Sequence, residues 1–379
     1  MKKTLLIVVN VDWFFISHRL QIAKEALKAG YDVYVAAEDT GRAGEITKEG
    51  IKFIHFPFSR SGTNPLKELS TLKNFFALYK KIRPDLVHHI TLKPVIYGSI
   101  AAKLMNITGV VNAIAGLGYN FTGERKGTVF SFLTKLMKFG FDRKNVAVIF
   151  QNTDDQSDLQ KMGILNDAHK VYFTKGSGID LREYSHSAKT DKINQKVNIL
   201  FPTRMLWDKG VKELKAASLI LKDKYYDKIT FVLAGLADEH NKEGVPAKFL
   251  NEWQDGEYVK WVGYQKGMYN LYVQADIVTL PSYYREGVPK SLIEACAVGR
   301  PIVTTDSTGC RDCVDEGVNG FKVAPRSGEE LAASLEKLVL DADLRSRMGA
   351  ASRKKAELEF DVSVVIASHL EIYKTLLNG

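Results

Sequence analysis

The chain opens on a short apolar run, Leu5 to Val9, of the length and composition of a buried strand. Ile16, Leu20, Ala23 and Leu27 then recur at helical spacing, so Ile16 to Ala29 reads as a helix that Gly30 terminates as its C-terminal cap. Further strand-length apolar runs follow at Tyr31 to Ala37, Ile51 to Phe56, Asp85 to His89, Val110 to Ile114 and Val146 to Phe150. Helix-like stretches separate them at Pro65 to Ile82, Val95 to Met105 and Thr128 to Phe139. Strands alternating with helices predict a parallel sheet with both faces covered.

The polar stretch His186 to Lys196 breaks this alternation, which then restarts. Asn198 to Pro202, Ile229 to Ala234, Tyr258 to Val262, Ile277 to Leu280 and Pro301 to Thr304 read as strands, and Val211 to Leu221 as a helix. The predicted fold class is therefore α/β, with two doubly wound parallel-sheet domains facing across a cleft, residues 1–190 and 191–361.

At 379 residues the chain is long enough for two cores, and 45% hydrophobic with 26% charged residues is an ordinary globular composition. The net charge of +9 is unevenly placed: residues 1–194 carry 28 Lys and Arg against 18 Asp and Glu, while the remainder is nearly balanced. Such asymmetry points to an anionic lipid surface or a phosphorylated substrate. No nucleic-acid motif accompanies it, so nucleic acid is not an expected partner. No apolar run has the length of a membrane span. Met1 to Val9 imitates a signal peptide, but its apolar part is short and Asp12, His18 and Arg19 follow closely. A cytoplasmic location, on the inner face of the membrane, is the expectation.

The three cysteines exclude a disulfide framework, and Cys310 and Cys313 lack a second ligand pair for zinc, so they read as structural. The loop Asn10 to Phe15 contains no glycine, which argues against a dinucleotide pyrophosphate there. One D-x-D, Asp341-Ala342-Asp343, lies in a helix-like run and reads as a solvated helix face. Neither a cofactor nor a metal is expected.

The informative chemistry lies in the second half. The segment Glu286-Gly287-Val288-Pro289-Lys290-Ser291-Leu292-Ile293-Glu294 follows a strand and leads into a helix. Pro289 suits the first helical position, and the amides of Lys290, Ser291 and Leu292 would then be unpaired and able to hold an anion. Glu294 lies roughly 7.5 Å further along the helix axis than Pro289. Two carboxylates flanking an amide-lined diphosphate site match the layout of a sugar nucleotide, with hexose and ribose on either side. Upstream, Arg204 and Lys209-Gly210 follow the strand Asn198 to Pro202, at the edge where open parallel sheets bind ligands. Arg as a fork and Lys as a point charge would cradle a diphosphate.

These features, Arg-x4-Lys-Gly, Glu-x7-Glu and the turn Gly309-Cys310-Arg311-Asp312, resemble family 4 glycosyltransferases of the GT-B fold, over nearly the whole chain. The bacterial enzymes that extend undecaprenyl-diphosphate-linked saccharides for O-antigen, capsule or glycoprotein glycans look most similar. The resemblance implies that Glu286 contacts the donor sugar, Glu294 the ribose hydroxyls, and Arg204 and Lys209 the diphosphate. Glu286, Arg204 and Lys209 are the expected catalytic residues. Gly287, Pro289, Lys290, Ser291 and Leu292 complete the donor site. The resemblance also implies a retaining transfer of a hexose or N-acetylhexosamine, from a UDP-sugar to a lipid-linked saccharide. Fixed cations would stabilise the leaving diphosphate without a metal. The last stretch, Val362 to Leu377, would cross back to the first domain, as in that family.

The run Phe14 to Leu20 looks like the acceptor side of polysaccharide-assembly members, which makes His18 and Arg19 acceptor-side candidates; a capping role for His18 stands equally open. His88 and His89 read as structural. Asn112 to Tyr119 matches a turn that approaches the donor sugar, where Gly116 and Gly118 would supply amides. Many members carry a His before that first Gly; here Ala115 stands there, and the role of that His does not carry over. Asp312 resembles the family's acidic residue beside the donor only loosely. Lys126 to Lys144 mixes aromatic and basic residues and reads either as a helix in a membrane interface or as a core helix with a wet basic face. Two rival functions share these features: a sugar-nucleotide epimerase of the same shape, and a sugar-nucleotide-binding module without turnover.

Overall fold

The structure, a computed structural model, describes residues 2–58, 65–117, 127–187, 196–239 and 241–378, with backbone alone at 65–67, 128 and 129. It divides into two units, Met1–Ser177 with Val362–Gly379, and Gly178–Asp361. The first holds seven strands: β1 (Thr4–Val11), β2 (Asp32–Glu38), β3 (Lys52–His55), β4 (Leu86–Ile90), β5 (Gly109–Ile114), β6 (Val146–Phe150) and β7 (Lys170–Phe173). Every pairing is parallel, in the order β3-β2-β1-β4-β5-β6-β7. The second unit holds β8 (Val197–Pro202), β9 (Ile229–Ala234), β10 (Val259–Gly263), β11 (Ile277–Leu280), β12 (Ile302–Thr305) and β13 (Gly320–Val323). These are also parallel, in the order β10-β9-β8-β11-β12-β13.

The near-continuous apolar character of β1 follows from its place inside the sheet. Leu6 and Val8 face one core layer, while Leu5, Ile7 and Val9 face the other. The second layer contains Val365, Ile372, Tyr373 and Leu376 of the C-terminal helix Val362–Asn378, which therefore belongs to the first unit. The division between the units falls at residue 178, ahead of the expected boundary at 190. Residues before the polar stretch are already committed to the second unit: Ile179 N–H donates to the Phe360 carbonyl at 2.8 Å, and Arg353 donates to the Tyr184 carbonyl at 3.0 Å.

Other expectations are corrected. Asn10 to Phe15 is not a loop: β1 continues to Val11 and a helix, Asp12–His18, starts at once. The single helix expected over Ile16 to Ala29 is broken at Arg19 (φ −134°), where Leu20–Lys28 begins. Asp341 does not lie on a solvated helix face. It caps the helix Ala342–Lys355, accepting the Leu344 N–H at 2.8 Å. Cys296, Cys310 and Cys313 are all buried free thiols, and no metal-binding group of side chains occurs among the described residues.

A polar cluster lies inside the first unit. His88, His369 and Tyr373 are buried together, with His88 Nδ1 2.7 Å from the Tyr373 hydroxyl. His369 Nδ1 lies 2.7 Å from the Val365 carbonyl, an acceptor only, so that nitrogen carries the proton. Burial pushes His369 down to about 3 and His88 well below its ordinary value, and the Arg19 charge adds to both. Burial likewise takes His89 down to about 4, against the hydrogen bond that its Nδ1 donates to Asn112 Oδ1. All three are neutral in the fold and protonate readily in the unfolded chain. Their contribution to stability is complete above the ordinary value of 6.5 and is lost as pH falls below it. Each histidine is expected to remove about 2 kcal/mol by pH 5. Chemical denaturation at pH 7, 6 and 5 checks this; a flat profile, or an unchanged slope in His369→Gln, contradicts it.

Candidate active site

In the second unit the strand order reverses between β8 and β11, with β9 on one side and β12 on the other. The carboxyl ends of β8 and β11 meet at this point, the edge at which open parallel sheets bind ligands. Arg204 lies two residues beyond β8, and Lys209 ends the short turn Trp207–Lys209. Gly210 then takes a left-handed φ of 86° with its α-carbon against the Pro281 carbonyl, where a side chain would clash. The Asp208 carbonyl accepts the N–H groups of Tyr283 and Tyr284, at 3.0 and 3.2 Å, and the Ser282 hydroxyl at 3.2 Å. The loop with the cations is thereby fastened to the loop with Glu286.

That fastening brings Lys209 Nζ to 2.6 Å from Glu286 Oε2, with the two side chains only 12% and 16% exposed. Lys209 also lies over the Tyr284 ring, 5.3 Å from its centre. The other carboxylate oxygen, Glu286 Oε1, is buried with no hydrogen-bond partner. Beside the pair, burial raises the Asp208 carboxyl, with the Lys209 charge opposing it. Arg204 stands further out, more than half exposed, with its guanidinium 3.4 Å from Asp238.

Glu286 and Gly287 are supported from below by Gly309. This residue has φ 83°, and its α-carbon abuts the carbonyls of both. Thr305 and Ser307 add hydroxyl hydrogen bonds to the Ser282 carbonyl. Cys310 is buried beneath the turn, its thiol pushed up to about 12 by burial, which suits packing and not reaction. Asp312 lies in the following turn, Arg311–Cys313.

The helix after this loop runs Lys290–Val298, so Pro289 caps it and does not occupy its first turn. The Leu292 N–H was expected to be unpaired; it donates to the Pro289 carbonyl at 3.1 Å, and the Leu292 side chain is buried in the core. Lys290 and Ser291 head the helix, and the Ser291 carbonyl accepts the Tyr272 hydroxyl at 2.9 Å. One turn further, the Tyr184 hydroxyl donates to Glu294 Oε1 at 3.1 Å. Burial raises the Glu294 carboxyl, with Lys290, Tyr272 and Tyr184 opposing. Tyr184 and Asp208 are the site residues that sequence reasoning missed. Tyr184 lies 110 residues before its partner, and Asp208 acts through its main chain, which no side-chain pattern reveals.

The first unit's candidates are placed differently. His18 ends the helix Asp12–His18, stacked on Phe14 at 4.1 Å, with Nδ1 2.6 Å from the Ser17 hydroxyl. Arg19 was expected on an acceptor surface; it is only 3% exposed, donates to the His18 carbonyl at 2.9 Å and places its charge beside Tyr373. Burial lowers it to about 10, so it remains a cation of the interior. His88 and His89 are buried. Gly116 has φ 100° just after β5, while Gly118 lies outside the described residues.

Two family models between them account for most of the chain: Glycosyl transferase 4-like over residues 4–152, and Glycosyl transferases group 1 over residues 184–355. The chain belongs to the family 4 glycosyltransferases. Among curated relatives it is 28% identical to the N,N'-diacetylbacillosaminyl-diphospho-undecaprenol alpha-1,3-N-acetylgalactosaminyltransferase of Campylobacter jejuni, over 95% of this chain and 96% of that protein. Among solved structures, a glycosyltransferase from Rickettsia africae superposes with a TM-score of 0.78 at 22% identity, covering 99% of both chains. Anabaena HepE in complex with UDP-glucose gives 0.74 at 20% identity, covering 99% of this chain and 100% of that one. These likenesses establish the GT-B fold, with its two parallel-sheet domains.

The support under Glu286 is directly testable. Gly309→Ala is expected to lose about 2 kcal/mol or more, from a left-handed backbone and a main-chain clash. Gly267→Ala, in open space, should stay within about 0.5 kcal/mol of the parent. Equal melting temperatures for the two variants would refute the role of Gly309.

Proposed function

We propose that this glycosyltransferase moves a hexose or N-acetylhexosamine from a UDP-sugar to a lipid-linked saccharide on undecaprenyl diphosphate, with retention of anomeric configuration. The observation that carries the reading is the Lys209–Glu286 pair, held at the carboxyl edge of β8 and β11 where the strand order reverses. A cation for the leaving diphosphate and a carboxylate for the sugar lie next to each other there. UDP-glucose bound to a protein of this fold supports the donor class, and the name of the Campylobacter relative supports the acceptor. That name specifies an alpha linkage; made from an alpha-configured sugar nucleotide, it is retention.

In this reading Arg204 and Lys209 hold the diphosphate, Glu294 accepts the ribose hydroxyls and Glu286 orients the hexose. Cleavage of the anomeric C–O bond leaves negative charge on the diphosphate and positive character on the ring. Cations fixed beforehand stabilise the departing anion without reorganising. No step is assigned to a metal.

In this reading the lipid-linked acceptor puts the reaction at a membrane surface, for which we propose the cytoplasmic face. The helix Thr128–Phe141 of the first unit suits that surface: Phe132 and Phe139 are 59% and 45% exposed, and Lys135 and Lys138 lie exposed between and beside them. No helix among the described residues is long and apolar enough to cross a membrane.

Incubation with a panel of UDP- and GDP-sugars and a polyprenyl-diphosphate-linked saccharide, read by mass spectrometry, tests the reaction. The acceptor should gain one sugar from a UDP donor, with turnover unchanged by EDTA. Lys209→Ala and Arg204→Ala should each lose about 10²- to 10³-fold in rate. Near-normal turnover in either would refute its role, and an isomerised nucleotide sugar formed without acceptor would replace transfer with epimerisation. For the membrane, Phe132→Ser/Phe139→Ser should lose binding to phosphatidylglycerol vesicles while keeping its melting temperature. Equal binding would remove this helix from the contact.

A further inference from the structure

The Lys209–Glu286 pair sets a condition on binding that follows from its own geometry. The two groups assigned to opposite parts of the donor neutralise each other, at 2.6 Å and largely out of water. Among the described residues no other carboxylate bonds Lys209, and no second donor reaches Glu286. A diphosphate that claims Lys209 therefore takes away the only partner of Glu286. The carboxylate would be left partly buried, unpaired and beside a new anion, an arrangement that opposes binding.

We propose that the pair is an exchange latch that discriminates an intact sugar nucleotide from the bare nucleoside diphosphate; this rests on the donor assignment above. An intact donor opens the latch with compensation at both ends. Its diphosphate replaces Glu286 at Lys209, and the sugar hydroxyls supply the hydrogen bonds that Glu286 loses. The orphaned Oε1 is the acceptor already waiting for such a hydroxyl. UDP lacks the sugar and carries extra charge on its terminal phosphate, so it opens the latch without compensating Glu286. Once transfer has removed the hexose, re-formation of the ion pair competes with the product for Lys209 and assists its departure. Glu286 thus acts twice, on the sugar during transfer and against UDP afterwards.

The fingerprint is a variant that binds product better than the parent. Titration calorimetry of the full chain with UDP should show Glu286→Gln binding about tenfold tighter than wild type, the value of one charge-assisted hydrogen bond. UMP, which has no second phosphate to reach Lys209, should bind both proteins alike. Lys209→Ala should weaken UDP more in the Glu286→Gln background than in wild type, because only there is the lysine free beforehand. Glu286→Asp, one methylene short of Lys209, should move UDP affinity in the same direction by a smaller factor and serves if the Gln variant is unstable. Unchanged or weaker UDP binding in both Glu286 variants, with wild type binding UDP, overturns the latch and leaves the donor site standing. A wild-type protein that is folded and binds no UDP overturns both. An equal gain for UMP overturns the latch by showing a general loosening of the pocket.

Discussion

The second unit's site depends on one main-chain acceptor, the Asp208 carbonyl. Two amides and a hydroxyl from the loop after β11 converge on it, so the turn leaving β8 and the loop leaving β11 move together. Parallel strands present their ends side by side but do not join the loops that leave them. Without this fastening, Lys209 and Glu286 would belong to two independently wandering segments. With it, a cation and a carboxylate from positions 77 apart in the chain are held at hydrogen-bonding distance. Gly210 and Gly309 serve the same end from above and below, because each lets main chain approach main chain where a methyl group would intrude.

Electrostatics in the two units follows different rules. In the first, Arg19, His88, His369 and Tyr373 form a buried polar group in which burial suppresses the histidine charges and the arginine keeps its own. That group anchors the C-terminal helix and has no open face in the manner of a substrate site. In the second, the opposite charges of Lys209 and Glu286 are paired where the strand order reverses. The basic excess of the first half is therefore not concentrated in its interior chemistry. Exposed Lys135 and Lys138 carry part of it on the surface.

The central strands were legible because a strand buried on both faces is mainly apolar: β6 is wholly so, β1 and β5 nearly so, and β4 departs from it only in the buried His88 and His89. The edge strands β7 and β13 escaped notice: each spans four residues, partly exposed, and their short runs resemble turns. The break at Arg19 was hidden because Ile16, Leu20 and Ala23 keep helical spacing across it, while the backbone leaves helical geometry at a residue whose charged side chain is buried. At the site, Lys209, Glu286 and Glu294 were legible as residues through spacing and neighbouring Gly and Pro. Their relations were not. The lysine–carboxylate pairing, the Tyr184 hydroxyl on Glu294 and the closed Leu292 amide all depend on tertiary approach, which a one-dimensional pattern does not encode.

The second unit leaves and rejoins the first at neighbouring points: Ile179 bridges to Asp361, and its N–H reaches the Phe360 carbonyl. Structurally, residues 178–361 are a cassette spliced into a host whose own last helix comes after the splice. Because both severed ends of the cassette lie on one rung, it is suited to excision and grafting, and the host to closure by a short linker. A lineage could in this way exchange one sheet unit while retaining the other.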